Sequence, residues 1–236
     1  MTLLKPIPAP ERLIIALDVP STDDARAIVQ ELGDAITFYK IGLQLFPVGG
    51  LELARELIAG GKKVFLDFKF YDIGQTVKNA VASASTLGAH FLTIHGDRTI
   101  TRAAISGKGT SGLKLLAVTV LTSMDGHALR DMGYAGSVAD LVLARAQIAL
   151  ESGCDGIIAS AAEAARLRAE LGPDFLIVTP GIRSAGISHD DQVRVTTPGA
   201  AIHAGADYLV MGREITKAAD RRAAAAHVVA QIAAAL

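Results

Sequence analysis

The chain has 236 residues, half of them hydrophobic and 20% charged, with 23 basic against 24 acidic side chains and a formal net charge of −1. A near-neutral chain offers no bulk field to a nucleic acid. The lone cysteine, Cys154, excludes an internal disulfide framework and a cysteine-rich zinc site. No apolar run approaches the ~20 residues of a membrane span, and prolines at 6, 8 and 10 interrupt the stretch where a signal peptide needs its apolar core. The expectation is a soluble cytoplasmic protein with neither nucleic-acid nor membrane partners. At this length it can bury roughly 70–75% of its unfolded surface.

Short β-branched runs alternate with Ala/Leu-rich amphipathic stretches along the whole chain. The first strand is predicted at Leu13–Leu17 and the first helix at Ser21–Leu32, where Ser21-Thr22-Asp23-Asp24 offers a capping hydroxyl and carboxylates. A strand at Ile36–Ile41, a helix at Val48–Ala59, a strand at Val64–Phe68 and a helix at Val77–Leu87 follow. Strands are then expected at Phe91–His95 and Leu115–Leu121, a helix at Val138–Glu151, a strand at Gly156–Ala159 and a helix at Ala161–Leu171. Strands at Leu176–Thr179 and Tyr208–Met211 and a last Ala-rich helix at Thr216–Ala235 close the series. The strands are continuous apolar runs, as in a parallel sheet covered on its faces. Eight such units in about 240 residues predict an α/β protein of the (β/α)8 TIM-barrel type, with residues 1–236 as one catalytic domain. A doubly wound open sheet is the competing architecture. It would place a glycine fingerprint after the first strand, where this chain has Leu17-Asp18-Val19-Pro20.

A barrel carries its chemistry at the C-terminal ends of its strands. Those ends hold Asp18, Lys40, Asp67 with Lys69, His95, Thr122 with Ser123, Arg183 and Arg213. The densest group is Asp67-Phe68-Lys69-Phe70-Tyr71-Asp72, a D-x-K-x-x-D spacing that places Asp67 and Lys69 on one face of a strand and Asp72 in the loop beyond it. The bland alternative is a surface ion pair worth about 0–1 kcal/mol. A lysine held among carboxylates stays cationic, which disfavours Schiff-base catalysis and favours stabilising and then protonating a carbanion. Asp67 would face a substrate carboxylate and favour its departure as neutral carbon dioxide, so the chemistry indicated is decarboxylation or proton transfer at carbon.

The turns Pro180-Gly181-Ile182-Arg183 and Met211-Gly212-Arg213 suit a phosphate, through backbone N–H groups near a helix start and the fork of Arg213. The polar segment Ser184–Asp191 is a candidate lid over it. Histidines at 90, 95, 127, 189, 203 and 227 show no paired ligand spacing, so no metal site is expected. His95 is expected to line the site, and Cys154 to be a small buried residue.

L-D-V at the first strand, Y-K-I-G at the second and D-F-K-F-Y-D-I-G-Q-T-V at the third resemble the orotidine 5′-phosphate decarboxylase family. So do L-T-S-M after the fifth strand, T-P-G-I-R after the seventh and M-G-R-E-I-T after the eighth, in order from about Arg12 to Thr216. The resemblance implies a homodimeric (β/α)8 barrel that converts orotidine 5′-phosphate (OMP) to UMP, the last step of de novo pyrimidine synthesis, without metal or cofactor. It makes Lys69 the proton donor to C6 and sets Asp67 against the leaving carboxylate. Lys40 completes the charged network and touches the ribose, and Asp18 holds a ribose hydroxyl. Asp72, Ile73 and Thr76 would reach into the partner's site, so that each site is shared. Thr122 and Ser123 would lie against the pyrimidine, and Arg183, Gln192, Gly212 and Arg213 would hold the phosphate and the closing loop. Many relatives have L-K-F-H-D-I-P where this chain has F-K-F-Y-D-I-G, so Tyr71 and Gly74 alter the loop beside the charged residues. Two alternatives stay open: the related magnesium-dependent 3-keto-L-gulonate 6-phosphate decarboxylases and hexulose-phosphate synthases, which have an acidic residue where Lys40 stands, and a nucleotide-binding barrel without chemistry.

Overall fold

The computed structural model describes residues 5–184 and 196–236. Eight parallel strands close into a barrel in sequence order, with the last paired to the first. They are β1 (Leu13–Ala16), β2 (Phe38–Gly42), β3 (Lys63–Phe70), β4 (Phe91–His95), β5 (Lys114–Val118), β6 (Gly156–Ile158), β7 (Leu176–Thr179) and β8 (Tyr208–Met211). Around them run α1 (Thr22–Leu32), α2 (Gly50–Ala59), α3 (Gly74–Ser85), α4 (Arg98–Lys108), α5 (Gly126–Asp131), α6 (Val138–Glu151), α7 (Ala161–Leu171), α8 (Pro198–His203), α9 (Arg213–Thr216) and α10 (Arg221–Ala233). The expected (β/α)8 architecture is the one found, and the open doubly wound sheet is not.

Two apolar clusters build the fold. The larger lies between the strands and the surrounding helices; the smaller fills the barrel with Ile14, Phe38, Phe65, Phe91, Leu116, Val178 and Tyr208 among others. Phe91 packs on Phe38 at 5.1 Å and on Tyr208 at 5.1 Å, so aromatic rings plug the lower interior. Several helix starts carry a cap of their own. The Asp24 N–H donates to Ser21 Oγ ahead of α1, the Ile100 N–H to Asp97 ahead of α4, and the Ala223 N–H to Asp220 ahead of α10, each a cap worth about 1 kcal/mol.

Several boundaries differ from expectation. β2 starts at Phe38 instead of Ile36, because a 3-10 turn fills Gly33–Ala35 and the Ile36 carbonyl accepts from Tyr39 Oη and Lys62 Nζ. β5 stops at Val118 instead of Leu121, since the Thr119 carbonyl accepts from Arg145 and Thr119 Oγ1 donates to the Ile158 carbonyl. The terminal helix expected from Thr216 starts at Arg221 instead, behind its Asp220 cap, because Thr216 is the last residue of the one-turn α9. α4 was not among the helices expected. Its Thr, Ile, Ser and Gly content is poor in helix formers, but the Asp97 cap and close packing on α3 hold it. A side chain at Gly107 would place Cβ 2.2 Å from the Lys78 carbonyl oxygen.

Candidate active site

The barrel's inward-facing positions change character toward the C-terminal ends of the strands. Two residues beyond the inward Ala16, Phe38, Phe65 and Phe91 stand Asp18, Lys40, Asp67 and Thr93. The period-two alternation of a strand keeps each pair on one face. Ala16 and Phe65 therefore lie at the floor of a cavity of about 460 Å³, and Asp18, Lys40 and Asp67 form part of one wall, with the buried Thr93 behind it.

Four charges of alternating sign run along that wall. Lys40 Nζ donates to both Asp18 oxygens at 3.0 and 3.1 Å and lies 3.4 Å from Asp67 Oδ2. Lys69 Nζ donates to Asp67 Oδ1 at 2.7 Å. Lys40 is buried, 6% exposed, so its ammonium is held by the two carboxylates instead of by water. Burial pushes the Asp67 carboxyl up, but Lys40, Lys69 and the hydrogen bonds from Lys69 and Thr93 outweigh it and hold the group below the usual carboxylate range. Asp67 is therefore an anion at neutral pH. Gly42 makes the network sterically feasible, because a Cβ there would stand 2.8 Å from Asp18 Oδ1 and 3.0 Å from Lys40 Nζ.

Lys69 does not lie on a regular strand as expected. β3 runs on to Phe70 and its register against β4 shifts between Leu66 and Phe70. Lys69 takes φ +50°, the one positive φ among the described non-glycine residues. Its side chain still meets Asp67, but through a bulge that re-aims it. Thr93, fully buried on β4 and not foreseen from sequence, accepts the Lys69 N–H at 3.0 Å and donates to Asp67 Oδ1 at 3.0 Å.

Across the cavity the lining is different. Val118, Ile158 and Val210 form an apolar stretch, and beyond it Gly181, Arg183, Gly212 and Arg213 gather at the ends of β7 and β8. Arg183 is nearly buried and its Nη1 donates to the Ile182 carbonyl at 2.7 Å. The Ser184 N–H donates to Glu214 Oε2 at 3.0 Å, tying the β7 and β8 turns together. The helix beyond Arg213 is one turn long, so the arginines contribute more here than a helix dipole does. One end of the cavity thus suits a phosphate-sized dianion and the other pairs an anion with a cation beside it.

Asp18, Lys40, Asp67, Lys69, Thr122, Arg183, Gly212 and Arg213 all line the cavity. Ser123 is exposed and outside that lining. Asp72, Ile73 and Thr76 are exposed as well and stand away from the cavity of their own chain; the Ile73 N–H donates back to Asp72 at 2.6 Å. Ile73 is 72% and Tyr71 68% exposed, and Leu43 and Phe46 are exposed as well. The Tyr71 ring meets the His95 ring at a tilt of 54° with centroids 4.8 Å apart, and burial, Arg145 and Lys69 together depress the His95 imidazolium, so this ring is neutral at neutral pH. Cys154 is buried and burial pushes its thiol up to about 12, which fits the inert packing role expected. Gln192 and most of the candidate lid lie outside the described residues. Among the described residues no three His, Cys, Asp or Glu side chains gather in a metal-holding group.

The family model for the orotidine 5′-phosphate decarboxylase / HUMPS family matches residues 11–228. The chain is 55% identical over 234 residues to the orotidine 5′-phosphate decarboxylase of Methylobacterium sp. (strain 4-46), covering 98% of this chain and 99% of that protein. It is 54% identical over 228 residues to the enzyme of the same name from Nitrobacter winogradskyi, covering 97% and 95%. Among solved structures, orotidine 5′-phosphate decarboxylase from Lactobacillus acidophilus superposes with a TM-score of 0.83 at 36% identity, covering 94% of this chain and 99% of that one.

Proposed function

The chain belongs to the orotidine 5′-phosphate decarboxylase / HUMPS family, and from that premise we infer that it converts orotidine 5′-phosphate to UMP and carbon dioxide, with residues 1–236 forming one catalytic unit. The observation that carries this reading is the alternating Asp18–Lys40–Asp67–Lys69 row facing an apolar wall, with Arg183 and Arg213 at the far end of the same cavity.

Arg183, Arg213 and Gly212 take the 5′-phosphate, and Thr122 flanks the base. Lys40 and Asp18 hold the ribose hydroxyls. The substrate carboxylate then lies against Asp67, where two like charges about 4 Å apart repel by roughly 4 kcal/mol at an effective dielectric of 20. That repulsion disappears as the C6–carboxylate bond breaks and neutral carbon dioxide leaves, its bonding pair remaining on C6. The Lys69 ammonium, already poised beside the vacated position, stabilises that pair and transfers a proton from Nζ to C6. Solvent returns a proton to the lysine. The chain's own groups supply the charge that the reaction needs at C6.

The magnesium-using relatives need an acidic group at the second strand. Lys40 stands there instead, an ammonium between Asp18 and Asp67 that repels a divalent cation, and this favours the nucleotide substrate. The exposed Asp72, Ile73 and Thr76, beside the exposed Tyr71 in the chain, support a homodimer in which these residues complete the partner's site.

Lys69→Ala tests the assignment. It is expected to lower turnover by more than about 10³-fold, the combined effect of losing the acid and the electrostatic partner, while UMP still binds through the phosphate and ribose contacts. Turnover near the wild-type value would remove Lys69 from the reaction.

A further inference from the structure

Three residues of β3, Asp67, Phe68 and Lys69, lie between Leu66 and Phe70, whose partners on β4 are Leu92 and Ile94. On β4 the same interval holds only Thr93. The two extra residues interrupt the ladder, and a backbone N–H withdrawn from it inside a barrel needs another acceptor. Thr93 Oγ1 is that acceptor for Lys69, at 3.0 Å. Its single hydrogen is then directed to Asp67 Oδ1, also at 3.0 Å. One hydroxyl thus spends its donor on one member of the catalytic pair and an acceptor site on the other. Thr93 is fully buried, so bulk water cannot take over either bond.

We infer that Thr93 is a positioning residue for decarboxylation: its hydroxyl ties the Lys69 backbone and the Asp67 carboxylate to one point, which fixes the 2.7 Å Lys69–Asp67 contact and its aim into the cavity. Without that bond the carboxylate is oriented, among the described residues, by its two lysines, Lys69 on Oδ1 and Lys40 on Oδ2. The bulge, with Lys69 at φ +50°, loses the acceptor that stabilises it.

The inference rests on the decarboxylase assignment, and Thr93→Val separates the two. Valine has the shape of threonine without the hydroxyl. T93V is expected to lower kcat on OMP by about 30-fold, within the range reported for small misplacements of reacting groups. KM should change by less than about threefold, because the groups assigned to phosphate and ribose do not touch Thr93. T93S, which keeps the hydroxyl, should recover kcat to within about threefold of wild type. If T93V does not yield folded protein, judged by UMP binding, T93A makes the same deletion with less bulk. A hydroxyl-free variant with wild-type kcat, or a T93S variant as slow as T93V, would overturn the positioning role. A wild-type protein inactive on OMP would instead overturn the assignment beneath it.

Discussion

Gly42 illustrates how much of the site depends on one missing side chain. Its absent Cβ leaves the space in which Asp18 and Lys40 meet, and both would be approached within about van der Waals contact or closer by a methyl group. The atoms in conflict are the ends of side chains, so Gly42→Ala should fold and should displace the ion pair instead of the strand. We expect KM for OMP to rise about tenfold, equivalent to ~1.4 kcal/mol of lost binding; steady-state kinetics with a melting curve unchanged within error checks this. Asp18, Lys40, Asp67 and Lys69 were legible in the sequence because charged residues at successive strand ends of a barrel have few structural reasons to be there. Thr93 and Gly42 were not. A threonine in an apolar strand is an ordinary β-former, and its function depends on a bulge in the neighbouring strand that no local pattern signals.

At the scale of elements, propensity and periodicity located all eight strands, and the helices α6 and α7 to the residue, but placed at least one end of β2, β3, β5, α2 and α3 two or three residues away. β4 and β8 coincide with expectation because each is a short apolar run bounded by polar or glycine residues, and β7 coincides because Pro180 ends it. α4 was missed because its composition favours other conformations, and it is held by tertiary packing and by a cap. Removing that cap in Asp97→Ala should cost about 1 kcal/mol and lower Tm by roughly 2–4 °C for a chain of this size, with kcat and KM on OMP unchanged. Differential scanning calorimetry beside the activity assay would show whether α4 is stabilised locally in this way. The bulge in β3 belongs to the same class of feature. Asp67 and Lys69 are two apart in sequence and were expected on one strand face, and they do meet, but by a backbone at positive φ. The pairing was legible; the distortion that achieves it was not.

At the scale of the whole molecule, the barrel separates stability from chemistry. The aromatic plug closes the lower interior, and the charged row occupies the mouth above it, where solvent and substrate reach it. The residues at the β3–α3 turn face outward from their own chain, and the proposed dimer gives them a place in the partner's site. Lys69→Ala mixed with Asp72→Asn tests that arrangement, because one site of each mixed dimer keeps both Lys69 and Asp72. Equimolar mixing with free exchange makes half the dimers mixed, so about a quarter of wild-type activity should return in a two-fold-symmetric assembly. No recovery with subunit exchange demonstrated would count against shared sites. Exposed residues of this kind were legible only through resemblance, since within one chain they touch nothing that reveals their purpose.

The most direct test of the central claim is the ultraviolet absorbance of OMP incubated with the purified protein, with and without EDTA. The charged row of Asp18, Lys40, Asp67 and Lys69 predicts conversion to UMP at the same rate in both. A folded protein that leaves OMP unchanged, or one whose turnover is abolished by the chelator, would contradict it.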